Sequence, residues 1–100
     1  MAIAHLVFMT GKQESSDAHA ERILRSAKRE FRALSGVLDV RIAVRSGETD
    51  ASKRSYGIFT RFADAQSLAA FLPHPVHAAI GKEMQEHFTD FAVHDFGELD

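Results

Sequence analysis

The stretch Phe71-Leu72-Pro73-His74-Pro75-Val76-His77 places two prolines and two histidines directly ahead of a helical pattern. Its reading decides how the rest of the chain must lie. Pro75 suits the first turn of a helix, where a missing N–H costs no hydrogen bond and φ is already helical. Pro73 or His74 then marks the boundary. Beyond it, His77, Ile80, Gly81, Met84 and Phe88 recur at three- and four-residue intervals as one apolar stripe. At about 100° per residue, His77 falls near the middle of that stripe, in line with Met84 and Phe88. The imidazole is therefore expected to face the core, while Lys82, Glu83 and Glu86 face water.

Upstream of this helix the periodicity alternates between two and 3.6. Residues 3–9 read as a strand, with Ile3, His5, Val7 and Met9 on one face and Ala4, Leu6 and Phe8 on the other. Thr10 to Ser16 is a polar loop, and Ser15 or Ser16 can cap a helix that has Asp17 in its first turn. Ala20, Ile23, Leu24, Ala27, Phe31 and Leu34 keep helical spacing up to Ser35-Gly36, where Gly36 is a natural stop. A second strand, Val37 to Arg45, sets Leu38, Val40, Ile42 and Val44 against Asp39, Arg41 and Arg45. The polar residues 46–53 suit a hairpin link. A third strand, Arg54 to Phe62, puts Tyr56, Ile58, Thr60 and Phe62 on one side. Asp64 caps a short helix through Phe71, and the Pro73 to Phe88 helix follows. Thr89-Asp90 breaks it, and a last strand, Phe91 to Phe96, carries Phe91, Val93 and Asp95 opposite Ala92, His94 and Phe96. A polar tail begins at Gly97.

The order β-α-β-β-α-β, with the second helical segment broken near Pro73, predicts a single-domain ferredoxin-like α+β fold over residues 1–100. Its four-stranded antiparallel sheet would carry helices on one face. The far face then exposes Ala4, Leu6, Phe8, Phe59 and Phe96, more apolar surface than a monomer should leave in water. A homodimer in which two sheets face each other is expected.

The 100 residues carry a formal net charge of −2 and no run of Lys or Arg, which argues against nucleic acid and against an anionic membrane surface as partners. With no cysteine, a disulfide framework, a thiolate metal site and a cysteine nucleophile are all excluded. The apolar N-terminus is too short to span a bilayer and lacks a basic flank. A soluble, cytoplasmic chain is expected.

The chain resembles the stress-responsive dimeric α/β-barrel (Dabb) family over nearly its whole length. The resemblance rests on Ala4-His5-Leu6-Val7-Phe8, Leu34-Ser35-Gly36-Val37, Phe62-Ala63-Asp64-Ala65, Phe71 to His77, and Asp90-Phe91-Ala92-Val93-His94-Asp95-Phe96. The His-Pro-x-His element and the closing Asp-Phe are its most specific parts. The resemblance implies a barrel-like dimer of ferredoxin-like subunits, each with a cavity between helices and sheet. A plant polyketide cyclase branch of the family uses a histidine where this chain has His77 and a tyrosine where it has Phe71. The third-strand histidine of that branch is matched here by Tyr56. Phe71 has no hydroxyl to hold a carbonyl oxygen, so the same cyclisation does not transfer directly.

These readings nominate His77 as general base or acid, with Tyr56 or His5 orienting a substrate oxygen. Phe71, His74, Ile80 and Met84 are the expected ligand contacts. Against this stands a structural reading, in which His77 and His5 are satisfied buried histidines and Tyr56 packs in the core. A metal on His74 and His77 would need a third ligand such as Asp64, so no metal is expected. His94 and Asp95 alternate across a strand and form no dyad with each other; His19 and His87 are expected at the surface. Two functions follow. One is a dimer that holds a small apolar ligand; the other is a cofactor-independent enzyme acting next to a carbonyl. An oxygenase without bound cofactor is a third, weaker reading.

Overall fold

The computed structural model of the chain describes residues 1–47, 50 and 54–99. Its elements run β1 (Ile3–Gly11), α1 (Asp17–Arg32), β2 (Val37–Val44), β3 (Ser55–Phe62), α2 (Ala65–Phe71), α3 (Pro75–His87) and β4 (Phe88–Gly97). The four strands form one antiparallel sheet in the order β2-β3-β1-β4, which is the ferredoxin-like arrangement. Within one chain this sheet is open, with β2 and β4 at its edges.

Local chemistry sets where the helices begin. Ser16 caps α1 by accepting from the His19 N–H at 3.1 Å, and Asp64 caps α2 by accepting from the Ser67 N–H at 2.8 Å. Each cap satisfies a donor that the first turn would otherwise leave unpaired. Pro75 opens α3, as its fixed φ favours, and His74 is the cap: its Nδ1 accepts from the Val76 N–H at 3.1 Å. Gly36 turns from α1 into β2 at φ 84°, and a Cβ there would run into the Ser67 side chain. Only glycine meets both conditions.

The inner face of the sheet carries Met9, Val40, Tyr56, Ile58, Thr60 and Phe62, and α1 lays Ala20, Ile23, Leu24, Ala27 and Phe31 toward them. Ile80 and Met84 from α3 complete the cluster with Phe71 and Phe88. Side chains of this size each contribute about 1.5–3 kcal/mol when fully buried, so this layer is what holds the helices to the sheet. On the outer face, Phe8 and Phe59 rings lie 5.6 Å apart. Phe8 and Phe96 are 41% and 56% exposed, as the strand faces require.

Four boundaries and faces differ from the sequence reading. α1 ends at Arg32 with Ala33 as cap, short of Gly36. Phe88 leaves the helix for extended geometry and pairs with Gly11, so β4 starts three residues early and α3 enters it without a loop. Leu38 does not face the core: the β2–β3 register shifts between Val37 and Asp39, which makes Leu38 the extra residue and leaves it 53% exposed. Val44, at the open end of β2, is also exposed. The hairpin link over 46–53 lies partly outside the described residues, but its stem is closed by Arg45 N donating to Ser55 O at 2.8 Å.

Candidate functional site

The helices do not cover the sheet evenly. α1 packs toward β2, whereas edge strand β4 is only thinly covered by the helices, and Phe91 and Val93 on its inner face are 41% and 53% exposed. Between that uncovered strip and α3 lies an open cavity of about 360 Å³, inside the range of small-molecule sites. Val7, Ile58, Thr60 and Val93 form its floor, and Phe71, His77, Gly81 and Met84 form its helical wall. Two imidazoles reach this mainly apolar space.

His77 is the third residue of α3, in its first turn, on the inward side that the stripe required. Its Nδ1 lies 2.8 Å from the Leu72 carbonyl oxygen. A carbonyl can only accept, so Nδ1 carries the proton and Nε2 keeps its lone pair. The ring packs 4.6 Å from Phe71 and 6.0 Å from Phe31. His5, on the central strand, is buried, with Phe62 and Phe71 edge-on to it at 6.2 and 6.1 Å. Its Nδ1 meets the Asp95 carboxylate across the β1–β4 pair, where His5 and Asp95 stand directly opposite. That carboxylate orients the ring and leaves Nε2 for a ligand.

Asp95 was not among the residues nominated from the sequence. The alternation of β4 puts it on the same face as Val93, but only the register that sets His5 against it reveals the pair. The same alternation keeps His94 on the outer face, 6.4 Å from Phe8 and 6.3 Å from Phe96 by ring centroids. Thr60, opposite His5 and buried on the floor, was likewise passed over.

Of the nominated residues, the cavity brings together His77, His5, Phe71 and Met84. Three others lie elsewhere. Ile80 is buried in the core cluster, and the His74 ring is spent on its cap. Tyr56 pairs with Met9 near the far end of β1, donates its hydroxyl to Asp17 Oδ1 at 2.9 Å and packs 5.4 Å from Phe88. It therefore lines the separate depressions beside Asp17 and Arg54 and is no partner for His77. Burial, reinforced by the hydrogen bond to Asp17 and its charge, pushes the Tyr56 phenol above its ordinary value. Among the described residues, no three His, Asp or Glu side chains converge as a metal cluster would.

Comparisons with known proteins agree with this fold. The sequence model of the family described as Stress responsive A/B Barrel Domain matches residues 3–98. Among solved structures, a Dabb family protein with a ferredoxin-like fold from Mesorhizobium loti is 24% identical, with a TM-score of 0.78 and coverage of 99% of this chain and 98% of that one. A dimeric ferredoxin-like protein of unknown function from Thermobifida fusca superposes with a TM-score of 0.82 at 14% identity, covering 98% and 92%. A dimeric protein of unknown function with a ferredoxin-like fold from Bacteroides fragilis gives 0.73 at 17% identity, covering 95% and 94%. No functionally curated protein matches the chain. Among the described residues, no helix is long and apolar enough to cross a membrane.

Proposed function

The chain belongs to the stress-responsive A/B barrel domain family, and from that premise we propose that it works as a homodimer whose subunits each hold a small, mostly apolar molecule between α3 and the sheet. The observation that carries this reading is the 360 Å³ cavity, walled by apolar side chains and entered beside edge strand β4. Phe71 and Met84 supply apolar contact, while His77 Nε2 and His5 Nε2 are acceptors for a hydroxyl or enol group on the ligand. The exposed Phe8 and Phe96 on the opposite face give the second copy its contact. The dimeric solved structures of the same fold support that assembly.

A second reading is favoured by one specific feature, the Asp95–His5 pair. A carboxylate that holds one imidazole nitrogen leaves the other poised to take a proton, and His77 is held in the complementary way by a backbone carbonyl. In this reading the protein removes a proton next to a ketone carbonyl without a cofactor, with His77 Nε2 as general base and His5, once its own Nε2 has taken up a proton against the Asp95 carboxylate, donating to the oxygen.

Two measurements test these readings. Titration of an apolar aromatic ketone against the protein should show saturable binding that Gly81→Leu weakens by more than about 10-fold; no binding by any such probe would overturn the first reading. Proton NMR in deuterium oxide then follows hydrogen exchange at the carbon next to the carbonyl. Exchange above the buffer rate that collapses in His77→Ala, with melting unchanged, supports catalysis, whereas binding without exchange leaves a carrier. Sedimentation of wild type and of Phe8→Asp should separate dimer from monomer.

A further inference from the structure

A second pair of histidines joins the two helices away from the cavity. His19 Nε2, from the first turn of α1, stands 3.1 Å from His87 Nε2, the last residue of α3. Their ring centroids are 4.2 Å apart. The sequence reading leaves both at the surface, yet both are half-buried and face each other. The outer nitrogens are engaged as well: His87 Nδ1 lies 3.3 Å from Ser15 Oγ, and His19 Nδ1 lies 2.9 Å from Arg22 Nη2. Backbone bonds tie this corner together, with Lys12 N donating to His87 O at 3.0 Å and Ser15 N donating to Lys12 O at 3.0 Å.

We propose that His19 and His87 form a binding site for a divalent late-transition metal ion of the zinc, nickel or copper(II) class, each supplying Nε2. Imidazole suits this group of metals. Two nitrogens at about 2.0–2.1 Å on a tetrahedral centre lie roughly 3.3 Å apart, close to the separation seen here, and the rings, whose centroids stand 4.2 Å apart, tilt away from each other to aim both lone pairs at the ion. The surroundings of His87 match a metal-bound imidazole. Its Nδ1–H donates to Ser15 Oγ, and such a second hydrogen bond is what holds a ligating ring in its tautomer.

Arg22 opposes the ion. A guanidinium can only donate, so without metal His19 carries its proton on Nε2 and shares it with His87 Nε2. Binding moves that proton to Nδ1 through solvent, with no net release, and the exposed Arg22 swings away. Among the described residues no third His, Asp or Glu joins the pair, so water fills the remaining positions. The site is open and exchangeable, and it clamps the start of α1 to the end of α3.

The test uses the full chain without an affinity tag, stripped with chelator and titrated with zinc, nickel or copper(II). At about a hundredfold excess over Kd, the melting temperature should rise by roughly 10–20 °C, because the ion binds the folded chain in preference. His19→Gln and His87→Gln should each abolish the rise, while His77→Ala retains it. Ser15→Ala should weaken binding by about 10-fold or more, and Arg22→Glu should tighten it. Electron paramagnetic resonance of the copper(II) form should report two imidazole nitrogens in wild type and one in His19→Gln, a readout independent of melting. No rise in wild type, or a rise kept in both glutamine variants, would overturn the proposal.

Discussion

Two polar side chains on the inner face of the sheet have parallel partners and different surroundings. His5 meets Asp95 at one end of the layer, and Tyr56 meets Asp17 at the other. Both are nearly buried, and both are hydrogen-bonded to a carboxylate. At the Tyr56 end, α1 supplies the carboxylate itself and Phe88 fills the space behind the phenol ring. At the His5 end the carboxylate comes from a thinly covered edge strand, and a cavity opens between the imidazole and α3. A satisfied buried polar group therefore does not make a site by its chemistry alone. The depressions beside Tyr56 are lined by Asp17 and Arg54, so it is a mainly apolar space, and a second imidazole facing that space, that distinguish the two ends.

The largest effect expected on this contrast is Phe71→Ala. Phe71 is 4% exposed and touches the rings of His5, Phe31, Phe62 and His77. Its truncation should cost about 3–5 kcal/mol in urea unfolding. Phe88→Ala should cost a comparable amount, but only Phe71→Ala should also change uptake of an apolar probe. If both change uptake equally, the two ends are not distinct. Next comes Gly81→Leu. A Cβ at Gly81 meets no atom within 4 Å, so the larger side chain should fill the cavity and weaken probe binding by more than about 10-fold. Stability should hold or rise by up to about 1 kcal/mol, since glycine is the poorer residue in mid-helix.

Smaller changes sharpen the comparison further. Tyr56→Phe should cost about 1 kcal/mol and leave probe binding untouched, whereas Asp95→Asn should disturb the probe or exchange signal with less effect on melting. The reverse pattern would place the site at the wrong end. The smallest effect concerns pH. Burial and Asp17 raise the folded Tyr56 value, whereas an unfolded phenol ionises near pH 10. Its contribution is therefore complete below about pH 10 and is lost as pH rises through the folded value. The urea midpoint should fall more steeply above that pH in wild type than in Tyr56→Phe.

Much of this architecture was legible before any coordinates. Alternation assigned the inner faces of β1 and β3, the Ser15-Ser16 pair and Asp64 announced the caps of α1 and α2, and the α3 stripe turned His77 inward. Periodicity reports a face, however, and says nothing of position along it. Tyr56 and Thr60 share a face four residues apart, roughly 13 Å along a strand; His5 stands opposite Thr60, so Tyr56 lies out of reach. Asp95 stayed hidden for the same reason, because its meeting with His5 depends on a register between strands ninety residues apart in sequence. Phe88 satisfied the helical stripe and the sheet alike, and pairing with Gly11 decided between them. The shift at Leu38 left no local mark, since leucine suits either side of that strand.

The direct passage from α3 into β4 has a mechanical consequence. His77 and Met84 sit on one arm of an unbroken length of chain, and Phe91, Val93 and Asp95 sit on the other, with no hinge between them but the bend around Phe88 and Asp90. Any guest that pushes the helix outward must drag the edge strand with it. Shape at the mouth and alignment of the Asp95 carboxylate are thus geared to each other, and a guest's fit can be transmitted to the imidazole it must reach.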